Sequence, residues 1–443
     1  MQRIVVVMCL AAVGPAQLEA ADRSERPNIL FLLADDLGKE WLRCYGSEHQ
    51  TPNLDRLAAG GMRFENVWCT PLCTPTRVMM LTGRYAFRTG WTIHHDTPRW
   101  GGQYFDWNRE IAFPRLLKAA GYATAMAGKW QVNDLRTQPD ALNRHGFDEY
   151  CAWVGFEAGN PSSAERYFNP FIQDSTGRRG TRIGQFGPDV FRGFLIDFMA
   201  RNKDRPFLAY YAMVLPHAPF TKTPHNLDTT ARGDELFPAE VDYIDYEVGC
   251  LLKALDDLKI RDRTLVFFAA DNGTGAGVPC RARGRPVDGG KGGLTERGIC
   301  VPFIANCPGR VPAGKVSDEL VDFSDICPTL MELAGGQLPP QVTIDGRSLA
   351  KTLLGRPETA PPRAWMYSRL GAKWALRDRR FKLHSAGRLY DLQADPWEEN
   401  DLTGRESPDA ARSRETLTTV LRSFPPDAKP PGVDSATRPA KND

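Results

Sequence analysis

The run Asn28-Ile29-Leu30-Phe31-Leu32-Leu33-Ala34, continued without a break by Asp35-Asp36, sets the plan of this chain. It is too short to cross a membrane and too uniformly apolar for a half-exposed helix, so it reads as a strand buried on both faces. Three further runs share the pattern: Ala123-Thr124-Ala125-Met126-Ala127, Pro206-Phe207-Leu208-Ala209-Tyr210-Tyr211-Ala212-Met213-Val214 and Thr264-Leu265-Val266-Phe267-Phe268-Ala269-Ala270. Between them apolar residues recur at helical spacing, as Val190, Phe194, Leu195, Phe198 and Met199 do over 189–202, and again over 238–258. This alternation predicts an α/β fold with a large, mostly parallel central sheet flanked by helices.

Each of these strands runs into a polar group: Asp35-Asp36, Gly128-Lys129-Trp130, Pro216-His217 and Asp271-Asn272-Gly273. Ligands of open α/β sheets bind beyond the carboxyl ends of the strands, so these groups are expected to meet in one crevice. Adjacent carboxylates repel unless a cation lies between them. Asp35, Asp36, Asp271 and the amide oxygen of Asn272 supply hard oxygen donors that suit Ca2+ or Mg2+. Asp, Asn and Gly also dominate plain turns, but their occurrence after two separate buried strands favours the metal.

A second candidate centre is Thr70-Pro71-Leu72-Cys73-Thr74-Pro75-Thr76-Arg77, ahead of Leu81-Thr82-Gly83-Arg84. Thr74 as N-cap, Pro75 at the first helical position and Gly83 as a stop predict a short helix beginning just after Cys73. Cys73 then lies at the positive end of that helix, with Arg77 one turn further on. Physics alone leaves two readings open, a buried thiol at a helix start and a reactive centre.

The chain has 443 residues, enough for one large domain and a smaller companion. Its 56 Lys and Arg against 54 Asp and Glu leave no basic excess, so no nucleic-acid partner is expected. Arg3, the apolar stretch 4–13 and Ala20-Ala21 read as a signal peptide over 1–21, implying export to the periplasm or medium. No later segment is apolar and long enough to suggest a membrane span. The ten Cys include no CxxC pair, so a zinc module is not expected. The catalytic domain is expected over 22–356. A Pro-rich linker comes next at 357–362. A small C-terminal antiparallel-sheet subdomain is expected over 363–424, with strands at 373–377, 380–384 and 388–392 and a helix at 410–421. The tail 425–443 has the composition of a disordered segment.

Cys73-Thr74-Pro75-Thr76-Arg77 with Leu81-Thr82-Gly83-Arg84 resembles the C-x-P-[ST]-R…L-T-G-R signature of the formylglycine-dependent sulfatases, arylsulfatase-like members of the alkaline phosphatase superfamily. The likeness extends to Asp35-Asp36-Leu37-Gly38, Gly128-Lys129-Trp130, Pro216-His217-Ala218-Pro219, Asp271-Asn272-Gly273, Gly290-Lys291-Gly292 and Leu389-Tyr390-Asp391-Leu392. It implies an alkaline-phosphatase-like fold and an enzyme that hydrolyses sulfate esters, with sulfated carbohydrates as the expected substrates. It implies that Asp35, Asp36, Asp271 and Asn272 bind a divalent metal, usually Ca2+ with Mg2+ as the alternative, together with a formylglycine derived from Cys73. Arg77 is then expected to orient the hydrated aldehyde, Lys129 and Lys291 to bind sulfate oxygens, and His217 to bind or protonate the leaving oxygen. A formylglycine-generating or sulfatase-maturating enzyme becomes an implied partner.

The resemblance breaks at Gln131, where the family commonly has histidine in G-K-W-H. Glutamine hydrogen-bonds but is no general base. Either Gln131 only positions groups, or His94 or His95 takes over, or turnover is impaired; an active, divergent enzyme is the favoured reading. Two other readings stay open: a phosphodiester or phosphonate ester hydrolase on the same site, and a binding protein that has lost turnover. Arg281, Arg283 and Arg285 could read anionic substrate groups or form a solvated loop.

Overall fold

The four buried runs become four neighbouring strands at the middle of a ten-stranded sheet. The structure is a computed structural model that describes residues 26–94, 104–135, 137–155, 165–357 and 361–428. The expected signal peptide, His95, part of the linker and most of the expected tail lie outside the described residues. Across the sheet the order is Lys315–Asp322, Met62–Trp68, Phe303–Asn306, Thr264–Ala270, Asn28–Ala34, Phe207–Ala212, Ala123–Lys129, Glu149–Trp153, Phe171–Asp174 and Arg179–Thr181. The five strands from Thr264–Ala270 to Glu149–Trp153 are mutually parallel, and antiparallel pairings lie on either side of them.

The register aligns the carboxyl ends of the central strands. Leu33 lies opposite Ala212 and Ala269, Ala34 opposite Ala270, and Gly128 opposite Ala212. The ladder continues one residue past the strands, with Asp271 N–H donating to Ala34 O at 3.1 Å and Asp35 N–H to Leu215 O at 3.0 Å. Asp35 and Asp271 are therefore set side by side by backbone pairing. Gly128 sits at φ +94, where any Cβ would lie 1.9 Å from Ala212 O, so the approach that carries Lys129 into the crevice requires glycine.

The inner strands carry aromatic residues that pack across the sheet. Phe31 stacks on Phe267 at 5.6 Å and meets Tyr210 edge-on at 6.1 Å between ring centroids. Each such pair contributes about 1 kcal/mol beyond its burial. The helix Gly187–Asn202 packs on the Ala123–Lys129 and Phe207–Ala212 strands and against the helix Phe237–Asp257. Cys73–Thr82 packs against Ile326–Leu333 and Phe113–Ala119.

The C-terminal sheet has four antiparallel strands, Met366–Leu370, Lys373–Arg377, Phe381–His384 and Leu389–Asp391. Pro408–Arg422 packs on it as a helix, capped by Ser407, whose Oγ accepts from Ala410 N–H at 3.2 Å. The sheet docks on the main body through Ser368 Oγ, which donates to Cys69 O at 2.7 Å. It docks also through the fully buried Lys382, whose Nζ lies 3.0 Å from Glu296 Oε1 and 2.9 Å from Glu398 Oε1. The nine cysteines among the described residues are all free thiols. No helix among the described residues is long and apolar enough to cross a membrane.

Candidate active site

Asp35 and Asp36 extend the central strand, and Asp271 and Asn272 extend its neighbour; all four side chains are buried. Asp36 adopts φ +70, a left-handed conformation that Asp tolerates, so the turn and the ligand readings of this pair coexist. Cys73 Sγ joins them: its sulfur and one oxygen each of Asp35 and Asp271 all lie within 4.8 Å of one another. His217 forms a second such group with Asp35 and Asp36.

The helix that presents Cys73 runs Cys73–Thr82 and starts one residue earlier than its sequence signals suggest. Its N-cap is the extended Leu72, not Thr74, and Pro75 is the third helical residue. A knot of two threonines holds the leading loop instead. Thr76 Oγ1 accepts from Thr70 N–H at 3.0 Å and lies 2.8 Å from Thr70 Oγ1, which itself donates to Leu72 O at 2.9 Å. A hydroxyl at 76 therefore fixes the segment that delivers Cys73. Gly83 ends the helix as expected, at φ +70 with its N–H on Met79 O at 2.9 Å.

Four cationic side chains face three carboxylates. Lys129 Nζ lies 2.6 Å from Asp35 Oδ2, and Lys291 Nζ lies 2.5 Å from Asp36 Oδ2. Arg77 donates to Asp271 Oδ2 through Nε at 3.1 Å and Nη2 at 2.7 Å, and through Nη1 to Lys129 O at 2.9 Å. Arg77 thus braces two other site residues, a task its sequence position did not reveal. The fourth cation, Arg166, lies 3.8 Å from Asp35 Oδ2 through Nη1 and 2.6 Å from His217 Nδ1 through Nη2. Sequence reasoning missed Arg166, because it ends no recognisable strand and belongs to no motif.

The donor set fits a hard divalent cation. Each carboxylate pairs closely with a cation through one oxygen, while Asp35 Oδ1, 3.8 Å from Arg77 Nη2, and Asn272 Oδ1 are buried with no hydrogen-bond partner among the described residues. Two orphaned buried oxygens are costly unless something positive meets them. Burial works against the Asp35 charge, yet Lys129, His217, Arg77 and Arg166 hold it well below the usual carboxylate range. Burial and the adjacent Asp35 push Asp271 up, with Arg77 opposing. Burial also pushes His217 down to about 3 against the pull of Asp36 and Asp35.

Gln131 is buried, sits at φ +66, and leaves Oε1 without a partner among the described residues. Cys73 Sγ is approached by a histidine, His94, whose Nδ1 lies 3.6 Å away. The arginines before Lys291 are solvent-exposed, on a short antiparallel hairpin of Cys280–Ala282 and Arg285–Val287 rather than an open loop: Arg281 pairs with Glu48 at 3.2 Å, Arg283 lies 3.9 Å from Glu65, and Arg285 pairs with Glu399 at 2.7 Å.

The sulfatase family model matches residues 27–336. The chain is 35% identical to the N-acetylgalactosamine-6-sulfatase of Canis lupus familiaris, over 81% of this chain and 71% of that protein. It is 33% identical to arylsulfatase A of Bos taurus, over 86% of this chain and 80% of that one. Among solved structures, Ps i-CgsB superposes with a TM-score of 0.74 at 25% identity, covering 88% of this chain and 92% of the other. That protein has also been crystallised in complex with k-i-k-neocarrahexaose.

Proposed function

This chain belongs to the sulfatase family, and on that ground we propose that it is an exported enzyme that removes sulfate from sulfated carbohydrates, using a formylglycine made from Cys73 and one divalent cation. The observation that carries this reading is the meeting of Cys73 Sγ with Asp35 and Asp271, all within 4.8 Å, at the first residue of a buried helix. A structural thiol has no need of two carboxylates and four cations around it. The carbohydrate substrate is supported by the N-acetylgalactosamine-6-sulfatase relative and by the oligosaccharide bound to Ps i-CgsB.

Asp35, Asp36, Asp271 and Asn272 would hold the cation, Ca2+ or Mg2+, together with the modified Cys73. When bound, it would supply Lewis-acid stabilisation of negative charge on sulfate and make a hydrated aldehyde at position 73 a competent nucleophile. Lys129 and Lys291 then bind sulfate oxygens and offset the charge that spreads over them. Arg77 fixes Asp271 and the Lys129 backbone, keeping both at the distance the reaction needs. His217 faces the leaving oxygen. The catalytic unit is residues 22–356, residues 363–424 form the C-terminal subdomain, and the segment 1–21 directs export. A maturating enzyme acts on Cys73 before the protein reaches its substrate.

The test is sulfate release from N-acetylgalactosamine 6-sulfate, carrageenan oligosaccharides and 4-nitrophenyl sulfate, beside phosphate diesters and phosphonate esters. The reading expects sulfate from at least one sugar. Faster turnover of a phosphate diester than of any sulfate would transfer the site to phosphoryl chemistry, and release from none would leave a binding protein.

A further inference from the structure

The amino ends of the central strands open on a basic groove. It begins as a cavity of about 1100 Å3 lined by Arg56, Lys253, Arg261 and Arg310 with one acid, Asp256. A second cavity of about 590 Å3 shares Gly309 and Arg310 with the first and adds Arg26, Lys351 and Arg356 with one acid, Glu332. Seven cations therefore line the groove with two carboxylates, on a chain whose 56 Lys and Arg nearly balance its 54 Asp and Glu. Arg261 stands just ahead of the strand Thr264–Ala270, and Asp271 just after it. At ~3.3 Å per residue that strand sets groove and catalytic crevice roughly 20 Å apart, too far for one sugar to touch both.

Two guanidiniums of the groove lack the partner that most cations of this fold have. Arg56 Nη2 donates to Asn53 Oδ1 at 3.1 Å, and Arg261 donates to Thr264 O at 3.4 Å and to Asn306 Oδ1. Neither pairs with a carboxylate among the described residues, whereas Lys253 does, with Asp257 Oδ2 at 2.6 Å. Burial, with the Arg56 charge adding to it, holds Arg261 below the usual arginine range, although Cys307 and Asp256 oppose. Like charges brought together in this way are stabilised by an anion between them. The guanidinium fork matches the oxygens of sulfate or phosphate. Arg310 is presented on a tight turn, its N–H and that of Val311 both on Cys307 O at 3.0 and 2.9 Å.

We propose that this groove is a second, non-catalytic binding site for the sulfated glycan chain, holding sulfate groups remote from the one in the crevice. The proposal deepens the sulfated-carbohydrate reading and rests on it for the identity of the chain. Two joined cavities with cations along both suit an extended chain of repeated oxyanions better than a single small ion. Held there, the polymer keeps its sulfate esters at high local concentration near the crevice between turnovers.

The experiment places Arg56→Gln, and Arg56→Gln with Arg261→Gln, in full-length Cys73→Ala, and titrates each with κ-carrageenan, chondroitin 6-sulfate, neutral agarose oligosaccharides and a single-stranded DNA oligonucleotide. A sulfated chain should bind and agarose should not. Arg56→Gln should weaken that binding about threefold and the double variant about tenfold, the scale of exposed and half-buried ion pairs. Arg56→Lys keeps the charge and should retain most of the affinity. Arg56 is exposed, so its single variants keep the test decisive if the double variant fails to fold. Turnover gives the second readout, with Cys73 restored. The kcat/KM on the sulfated polymer should fall by the same factors, while that on 4-nitrophenyl sulfate, too small to reach the groove, stays unchanged. Unaltered affinity in the variants, equal losses on polymer and small substrate, or DNA bound as tightly as either sulfated chain overturns the inference. A wild type that releases no sulfate from any substrate overturns the sulfatase reading instead, and the titrations still decide what the groove binds.

Discussion

Lys129 Nζ lies 2.6 Å from Asp35 Oδ2 with both side chains fully withdrawn from solvent. The ammonium takes one carboxylate oxygen and leaves the other, Oδ1, buried with no hydrogen-bond partner among the described residues, 3.8 Å from Arg77 Nη2. One residue thereby pairs with a carboxylate proposed to face the metal while leaving its second oxygen free of a hydrogen bond. Lys129→Met takes the nearest cation from that carboxylate and leaves only Arg77 and Arg166 at 3.8 Å, a loss of up to about 3–5 kcal/mol on the scale of a broken buried pair. The expected result is a lower denaturation midpoint together with a fall in kcat of roughly 10²–10³-fold, the scale of losing one charge-stabilising donor. A variant as stable and as active as wild type would contradict this assignment of Lys129.

Asn272 offers the second orphaned oxygen, Oδ1, while its Nδ2 donates to Asp36 Oδ1 at 2.8 Å and to Gly273 O at 2.9 Å. Asn272→Ala removes a proposed metal donor without removing a charge. Metal analysis of the purified protein should show near-stoichiometric Ca2+ or Mg2+ in wild type and a strong reduction in the variant. Chelation should lower the melting temperature of wild type more than that of Asn272→Ala, because only the first has bound ion to lose. Equal metal in both proteins would remove Asn272 from the ligand set.

The docking of the C-terminal sheet has its own pH signature. Burial disfavours the Glu296 charge, but Lys382 and Arg377 outweigh it and hold the carboxyl at about 2, below the ordinary 4.5. A folded-state value below the unfolded one stabilises the protein above the unfolded value, and that contribution is lost as pH falls through the folded one. The stability gap between wild type and Glu296→Gln should therefore be full above pH 4.5 and close as pH is lowered toward 2. Chemical denaturation across that window checks it, and a gap independent of pH would sink the idea.

The legibility of this molecule tracks burial. The four strands read from the sequence are the four at the centre of the sheet, where both faces are covered and the apolar run is continuous. The flanking strands carry mixed residues, as Met62–Trp68 and Lys315–Asp322 do with their half-exposed and charged positions, and they lack that signal. The fourth strand of the C-terminal sheet, Met366–Leu370, was hidden beside the Pro-rich linker. In the site, residues that end strands or sit in motifs were visible: Asp35, Asp36, Cys73, Arg77, Lys129, His217, Asp271, Asn272 and Lys291 lie in one connected cluster of contacts. Arg166 was not visible, because its importance comes only from where the chain returns. The start of the Cys73 helix was misplaced because the Thr70 and Thr76 hydroxyls, rather than Thr74, secure the residues ahead of it.

At Gln131 the backbone already adopts φ +66, a region His tolerates better than most side chains. Gln131→His is expected to retain its metal and to release sulfate within about tenfold of wild type, since Gln131 is placed outside the ligand set. His94, with Nδ1 3.6 Å from Cys73 Sγ, is the residue whose loss should matter. His94→Ala should lower kcat by roughly 10²-fold, the scale of a positioned acid–base group, with metal content unchanged. Loss of metal in Gln131→His, or full activity in His94→Ala, would reverse these two roles.

Whether Cys73 becomes formylglycine can be read directly by peptide mass spectrometry. Protein coexpressed with a maturating enzyme is digested, the Cys73 peptide is weighed, and sulfate release is measured beside Cys73→Ala. The expected peptide carries the aldehyde or its hydrate in place of the thiol, and sulfate release disappears in Cys73→Ala. An unmodified thiol, with wild type releasing no more sulfate than Cys73→Ala, would refute the assignment of Cys73 as the precursor of the nucleophile.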